Sequence, residues 1–297
     1  MTPEVARQMV ALNTRFYAQN AVSFGQTRQS AWPGWERCLD LARDACPVDG
    51  GATLRVLDLA RDACPVDGGA SLRVLDLARD ACPVDDGTTL RVLDLACGNL
   101  RFARFLAGAL PVTQIGYRGV DNCPGLSEAD RDGLPGNLQA KVDDIDVISC
   151  LLADGLGQVL GGSCYDLVVC FGFMHHVPTG TARARLLRAL LLATRPGGLC
   201  CVSFWRFMAN EHLATKARAT TTEALDGLGL SADDLDSGDY LLGWQGQAGA
   251  WRYCHHFDEA EVDGLLSSVS DLAQPVARFQ SDGRTSNLNS YLVLRRT

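Results

Sequence analysis

The fold is decided by the stretch Leu90-Arg91-Val92-Leu93-Asp94-Leu95-Ala96-Cys97-Gly98-Asn99. The apolar run from Leu90 to Ala96 predicts a buried strand, and Gly98 predicts a tight turn directly after it. A doubly wound α/β sheet begins with such a strand, and the turn that follows is the part that approaches a ligand most closely. Taken alone, the stretch is also typical of an ordinary strand-to-helix loop, so the rest of the chain has to decide.

The chain after Leu90 alternates predicted strands and helices. Strands are expected at 90–96, 114–121, 139–143, 165–171 and 199–205, and helices at 101–110, 145–152 and 181–194. A closing helix at 258–268 and two strands at 275–280 and 290–295, paired as a hairpin at one edge, complete the pattern. Helical crossovers join parallel strands, so the prediction is an α/β fold with a doubly wound, mostly parallel, seven-stranded sheet.

A tandem repeat precedes this pattern. Near-identical copies of the 18-residue unit LDLARDACPVDGGATLRV begin at Leu39, Leu57 and Leu75, and a fourth start falls at Leu93. Only the fourth continues into Cys97-Gly98-Asn99, so Asp40, Asp58 and Asp76 lack the glycine turn. Slippage of the coding sequence explains so short a unit better than a solenoid does. We therefore expect a helical N-terminal extension at 1–89 containing the repeats (39–92), and a ligand-binding domain at 90–297. An irregular, partly helical insertion at 207–250 could form a cap that faces the substrate.

Composition limits the classes of partner. The formal net charge of −8, from 27 basic and 35 acidic residues, gives no overall attraction to a phosphate backbone. The twelve cysteines contain no Cys-x-x-Cys pair, which favours buried thiols in a reducing compartment and no metal site. The N-terminal residues do not resemble a signal peptide, and no stretch predicts a membrane span. We expect a cytoplasmic protein.

Acidic residues follow the next two strands. Asp121 ends one predicted strand, where its carboxylate suits a ribose diol, and Asp143-Asp144-Ile145 ends the next, where an acid and an apolar side chain suit a purine. Asp144 is equally compatible with a helix N-cap. No Gly-x-Gly-x-x-Gly follows the first strand, which disfavours a dinucleotide.

These segments together resemble class I S-adenosylmethionine-dependent methyltransferases. VLDLACGN (92–99), GVDNC (119–123), DDI (143–145), YDLVVCFGFMHHVP (165–178) and TRPGG (194–198) are similar to successive motifs of that family, although Leu100 replaces a usual glycine. The resemblance implies a Rossmann-like methyltransferase fold with S-adenosyl-L-methionine as cofactor. The cofactor-binding residues that it implies are Asp94, Ala96, Cys97, Gly98, Asn99, Asp121, Asn122, Asp143, Asp144, Ile145, Phe171, Gly172 and Phe173.

A second, narrower resemblance involves both ends of the chain. FYAQNAVSFGQTRQSAWP (16–33) and WRYCHHFDEAEVDGLL (251–266) are similar to segments of tRNA wobble-uridine carboxymethyl methyltransferases, with Cys254 and Val262 as departures. This resemblance implies that Arg28 binds the cofactor and closes its pocket with Trp32. It also implies a tRNA acceptor and a small activator subunit.

Histidines are the candidate catalytic residues. A hydroxyl or amine acceptor needs a general base, for which His175 and His176 are the first candidates and His255 and His256 the next, whereas a carboxylate acceptor needs none. Each histidine is also compatible with a purely structural hydrogen bond. No third residue at ligand spacing accompanies either pair, so we expect no metal.

Three function classes stay open at this point. The first is a methyltransferase acting on tRNA, for which a helix edge with Arg183, Arg185 and Arg188 could contact phosphate, although such a helix is common on surfaces. The second is a small-molecule O-, N- or C-methyltransferase, and the third is a binding module without turnover.

Glu259 and Glu261 are predicted to lie on a solvated helix face.

Overall fold

The computed structural model describes residues 1–45, 89–127, 133–162 and 164–297, so the predictions for repeat residues 46–88 lie outside the described residues. The helices are α1 (Pro3–Gln26), α2 (Pro33–Ala45), α3 (Arg101–Ala109), α4 (Pro124–Ser127), α5 (Val147–Leu152), α6 (Leu156–Leu160), α7 (Gly180–Ala193), α8 (Glu211–Leu228) and α9 (Glu259–Ser267). The strands are β1 (Thr89–Leu95), β2 (Gln114–Asp121), β3 (Leu138–Asp144), β4 (Tyr165–Cys170), β5 (Thr194–Trp205), β6 (Asp239–Trp244), β7 (Gln247–His255), β8 (Ala273–Ser281) and β9 (Asn289–Arg296).

The main sheet confirms the predicted fold class. Its seven strands lie in the order β3-β2-β1-β4-β5-β9-β8. The first five are parallel, and β9 runs antiparallel to both β5 and β8, so the tail forms the expected hairpin at one edge. The order reverses between β1 and β4, and ligands bind beyond the carboxyl ends of the strands at such a point.

Strand β1 is the centre of this sheet because it is covered on both faces. Leu93 and Leu95 pack into the core layer that contains α7, whereas Val92 packs into the opposite layer with Trp35 of α2 and Phe102 of α3. Successive side chains of a strand point to opposite faces, so the unbroken apolar run in the sequence is what a strand buried on both faces requires.

The N-terminal helix is tied to the smaller sheet. That sheet pairs β6 with β7 in antiparallel fashion. The amide of Asn13 in α1 is bonded in both directions to the backbone of Tyr253, since its Oδ1 accepts the Tyr253 N–H at 2.8 Å and its Nδ2 donates to the Tyr253 carbonyl at 3.1 Å. Helix α8 packs on the outer side, where the Thr220 hydroxyl donates to the Leu241 carbonyl at 2.8 Å.

Helix α8 and strands β6 and β7, here called the cap, correct the expectation for residues 207–250. The segment is regular rather than irregular. Its second strand, β7, continues past Ala250 to His255 and so enters the 251–266 segment of the narrower resemblance. Gly243, Gly246 and Gly249 interrupt the alternation by which a strand is recognised in a sequence. None of the helices in the described part of the chain has both the length and the apolarity needed to cross a bilayer.

Candidate active site

The turn after β1 follows a left-handed path. Ala96, Gly98 and Leu100 have φ values of 60°, 51° and 56°. Nothing lies within 4 Å of the position that a Cβ on Gly98 would take, so the turn is open to a ligand on that side. Leu100 adopts a left-handed conformation, which glycine takes without strain and which costs another residue about 1–2 kcal/mol.

Asp121 at the end of β2 holds this turn in place. Its carboxylate accepts the Gly98 N–H and the Cys123 N–H, each at 2.9 Å. Burial raises the pKa of Asp121. Because a carboxylate has about four acceptor positions, the two bonds leave room for donors such as ribose hydroxyls.

Asp94 is a buried acid at the end of β1. The Tyr117 hydroxyl donates a hydrogen bond to its carboxylate, yet burial raises the pKa of Asp94 to about 7. A cationic ligand group beside Asp94 would offset that desolvation and favour the ionised form. The acid is therefore suited to the amino group of an amino-acid ligand.

A cavity of about 1120 Å³ extends from this turn to the cap. Single-ligand pockets commonly occupy about 300–1,000 Å³, so the cavity has room for a cofactor and part of an acceptor. The residues proposed from the sequence that line it are Arg28, Trp32, Asp94, Ala96, Cys97, Gly98, Asn99, Asp121, Asn122, Ile145, Phe171, Gly172, Phe173, His175 and His176.

The structure does not bring Asp143 and Asp144 to this cavity. Asp143 turns instead to Arg118 and Lys141, with Nε–Oδ2 and Nζ–Oδ1 distances of 2.7 and 3.4 Å. Asp144 is the register partner of Asp121 at the ends of β3 and β2, and a cofactor contact for these two acids stays a prediction. Asp146 does line the cavity and caps α5 by accepting the Ser149 N–H at 3.0 Å. The sequence analysis did not propose Asp146, which is the helix N-cap two positions after the adjacent acids Asp143 and Asp144.

Residues 27–32, here called the strap, cross the open side of the turn. The Asn99 amide donates to the Arg28 carbonyl at 3.0 Å, and the Arg101 guanidinium donates to the Ser30 carbonyl at 2.9 Å. The Trp32 ring lies 3.1 Å from the position of a Cβ on Gly172. The strap therefore contacts the loop after β1, helix α3 and the loop after β4, and the role of Arg28 and Trp32 in closing the pocket stays a prediction.

An aromatic chamber lies at the cap end of the cavity. The Arg252 guanidinium of β7 lies 5.3–5.7 Å from the centres of four rings, those of Phe16, Phe24, Trp205 and Trp244. Arg252 is only 6% exposed and lines the cavity. The sequence analysis did not propose Arg252 as a site residue. The pattern that could have indicated it is a cationic residue between two aromatic residues, Trp251 and Tyr253.

The two predicted histidines lie side by side in the chamber, and neither is protonated at neutral pH. Burial, with Arg252 next in importance, lowers the pKa of His176 to about 3, and burial also lowers that of His175. His176 Nε2 is 2.7 Å from the Tyr17 hydroxyl, and its Nδ1 is 3.0 Å from the Tyr253 carbonyl.

His175 and Cys254 lie beside His176, and these three side chains are of the types that bind metal ions. The ligand atoms of His175, His176 and Cys254 lie within 4.8 Å of one another. Hydrogen bonds already engage both nitrogens of His176, and the charge of Arg252 adjoins the group. The arrangement therefore favours hydrogen bonding over metal binding.

Several other residues considered from the sequence belong to structural ion pairs, whereas His256 Nδ1 accepts the Met208 N–H at 3.3 Å. His255 lies between Asp239 and Glu261, with Nδ1–Oδ1 and Nε2–Oε2 distances of 2.6 and 2.5 Å. Glu261 also accepts from Arg183 at 2.9 Å, so the prediction of a solvated Glu261 was wrong. Arg185 pairs with Asp154 and Arg188 with Asp271, which neutralises the helix edge considered for phosphate.

Residues 93–200 match the family described as a methyltransferase domain. No curated protein matches the chain. Similar solved structures include a Methanosarcina mazei S-adenosylmethionine-dependent methyltransferase (16% identity, 71% of this chain and 93% of that chain, TM-score 0.49). Another is Synechocystis magnesium protoporphyrin IX methyltransferase with bound S-adenosylhomocysteine (17%, 76% and 80%, TM-score 0.45). A third is Burkholderia thailandensis 1,6-didemethyltoxoflavin-N1-methyltransferase (17%, 75% and 76%, TM-score 0.44).

Residues 93–200 therefore resemble a methyltransferase domain, and the cofactor that the site is expected to hold is S-adenosylmethionine. The residues present fit this group. Asp121 offers acceptors for the ribose, Asp94 suits the ammonium group, and the space above Gly98 is open.

Proposed function

We propose that this protein transfers the methyl group of S-adenosylmethionine to a carboxylate oxygen of its acceptor and so forms a methyl ester. The observation that carries the proposal is the buried guanidinium of Arg252 in the aromatic chamber. Its Nε is buried and has no hydrogen-bond partner among the residues that the structure describes.

In the part of the chain that the structure describes, no carboxylate neutralises this cation. Within the described ranges, no carboxylate forms an ion pair with Arg252, and its hydrogen bond goes to the Tyr17 hydroxyl at 3.4 Å. Burial raises the pKa of Tyr17 to about 12 and that of Cys254 to about 11, so both are neutral at pH 7. An unpaired buried charge costs several kcal/mol, which an anionic ligand would offset. A planar carboxylate matches the geometry of a guanidinium.

The histidines support a carboxylate over a hydroxyl or amine acceptor. With its pKa near 3, His176 is a very weak base, so it gives little help to an acceptor that must lose a proton. A carboxylate is already ionised at neutral pH and needs no base.

The chemistry then rests on alignment. When bound, S-adenosylmethionine would supply an electrophilic methyl group. Breaking of its S–CH₃ bond as a carboxylate oxygen takes the methyl group would leave a methyl ester and S-adenosylhomocysteine, with no proton to transfer. Arg252 orients the acceptor, the strap and the Phe171-Gly172-Phe173 loop enclose the reacting atoms, and the four rings exclude water.

The proposed acceptor is the carboxymethyl group of the tRNA wobble uridine. The support is that both segments of the narrower resemblance line one cavity, with Arg28 and Trp32 from the first and Arg252 from the second. The alternative is a small-molecule carboxylate, which is favoured by the internal pairing of Arg185 and Arg188 and by the net charge of −8. The tRNA candidate also includes an activator subunit, which would be needed for transfer and not for cofactor binding.

The test compares a carboxylate with its neutral isostere. The nucleosides 5-carboxymethyluridine and 5-carbamoylmethyluridine are titrated calorimetrically into protein saturated with S-adenosylhomocysteine. A hydrogen-bonded charge pair contributes about 1.5–3 kcal/mol, so the carboxylate should bind about 10- to 150-fold more tightly than the amide.

Arg252→Gln should abolish that preference, whereas Arg278→Gln, at an exposed ion pair with Asp263, should keep it. Equal affinity for acid and amide in wild-type protein would refute a carboxylate acceptor of this type. Transfer to tRNA should weaken steeply with added salt, and transfer to a small molecule should not.

A further inference from the structure

We propose that His176 transfers no proton and that Tyr17 and His176 are positioning residues, which hold the Arg252 guanidinium in place through a neutral hydrogen-bonded chain. This inference rests on the proposed function, because it assigns Arg252 to the acceptor. It reassigns the residue that the sequence had offered first as a general base.

The direction of each hydrogen bond follows from the groups involved. The Tyr253 carbonyl can only accept, so His176 Nδ1, 3.0 Å away, carries the proton. The Asn13 Nδ2 also lies 3.2 Å from His176 Nδ1, but it donates instead to the Tyr253 carbonyl at 3.1 Å. Its Nε2 is then unprotonated and accepts the Tyr17 O–H at 2.7 Å. The remaining neighbour of the Tyr17 oxygen, the Arg252 Nη1, is a donor at 3.4 Å. The chain thus runs from Arg252 through Tyr17 and His176 to the backbone.

The protonation states keep this chain neutral. Burial raises the pKa of Tyr17 to about 12, and burial together with Arg252 lowers that of His176 to about 3. Across pH 5.5 to 8 neither group titrates. The one lone pair of the imidazole is therefore occupied by Tyr17 and is not free to take a proton from an acceptor.

Asn13 fixes the far end of the chain. Its amide bonds the Tyr253 N–H at 2.8 Å and the Tyr253 carbonyl at 3.1 Å, so the carbonyl that orients His176 is itself held by α1. Arg252 is the preceding residue of β7. Two residues of α1 therefore position Arg252. Tyr17 contacts its guanidinium, and Asn13 holds the strand at the following residue, Tyr253.

The test asks whether His176 acts by accepting the Tyr17 hydrogen bond or by taking a proton from the acceptor. His176→Gln supplies an amide oxygen that can accept the Tyr17 O–H, whereas His176→Leu supplies none. The readout is the ratio of affinities for 5-carboxymethyluridine and 5-carbamoylmethyluridine, measured with S-adenosylhomocysteine bound. Glutamine should keep the ratio within about threefold of wild type, and leucine should lower it about tenfold.

Tyr17→Phe should lower the ratio about tenfold, and Tyr17→Phe combined with His176→Leu should lower it no further, because both act through one bond. Multiplicative losses in the double variant, or a glutamine variant as poor as the leucine variant, would overturn the inference. Unchanged affinity for S-adenosylhomocysteine shows that each variant has folded.

A second readout needs no acceptor. The chain has 5 histidines, so ¹⁵N spectra of the wild type and His176→Gln identify the His176 signals. We expect the Nδ1–H tautomer, no titration between pH 5.5 and 8, and a shift of the Nε2 signal in Tyr17→Phe. Titration of His176 in that range would contradict the inference. If acid and amide bind alike, the proposed acceptor fails while these spectra still decide the tautomer.

Discussion

Replacement of Asp121 tests the cofactor site, and its effect can be worked out from the structure. The carboxylate accepts the Gly98 and Cys123 N–H groups at 2.9 Å each and lines the cavity. Asp121→Ala removes these acceptors from the turn and removes the acceptor for the ribose hydroxyls. A hydrogen bond to a charged group contributes about 1.5–3 kcal/mol, so S-adenosylhomocysteine should bind about 10- to 150-fold more weakly.

Asp121→Asn separates the two contributions. The amide oxygen can still accept one of the backbone N–H groups, but the charge is lost, so the affinity should fall less than in the alanine variant. Both variants and the wild type are compared by calorimetric titration of S-adenosylhomocysteine, with thermal melts as a check of folding. Glu223→Ala, at an exposed position on α8, is the control and should bind like wild type.

An Asp121→Ala variant that folds and binds within twofold of wild type would refute this reasoning. It would mean that the carboxylate serves only to brace the turn and that the ribose is bound elsewhere.

Three further predictions concern folding and stability. Burial opposes the charged form of His255, but its bonds to Asp239 and Glu261 outweigh burial and raise its pKa. The resulting stability should be fully present below about pH 6.5 and fall as pH rises through the folded-state pKa, by at most about 1.4 kcal/mol per pH unit. Denaturant unfolding of wild type and His255→Gln measures this, and equal pH slopes would contradict it. Gly172→Ala should lower the free energy of unfolding by about 1–2 kcal/mol, because its φ is +73° and the new Cβ would lie 3.1 Å from Trp32. Gly157→Ala, with nothing within 4 Å, should not lower it measurably. Deleting 57–92 restores the sequence TLRVLDLACGN from 53–56 and 93–99, so the shortened chain should bind S-adenosylhomocysteine like the full one; loss of binding in a folded deletion would show a role for the repeats.

The sheet and the cofactor end of the site were predictable because their signals are local. The run from Leu90 to Ala96, the turn at Gly98 and the acid at Asp121 each follow from neighbouring residues and strand order. Leu100, which departs from the expected glycine, takes a left-handed conformation at φ 56°.

The acceptor end was not predictable in the same way, because its contacts join distant parts of the chain. Tyr17 and His176 are 159 positions apart, and Tyr17 and Arg252 are 235 apart. No local pattern shows that Arg252 has no acid beside it, or that Glu261 points at His255. The ion pair of Asp143 was not predictable for the related reason that it depends on Arg118 of the neighbouring strand β2.

The central claim is that this chain makes methyl esters from carboxylates, and the most direct measurement follows the transferred methyl group. Protein is incubated with S-adenosylmethionine labelled in its methyl group and with either tRNA bearing 5-carboxymethyluridine or a pool of small carboxylic acids, with and without a cell extract as a source of activator. We predict labelled product that releases volatile labelled methanol on mild alkali, and loss of that product in Arg252→Gln. Labelled product that withstands alkali would contradict the account, since it would place the methyl group on nitrogen, carbon or an ether oxygen.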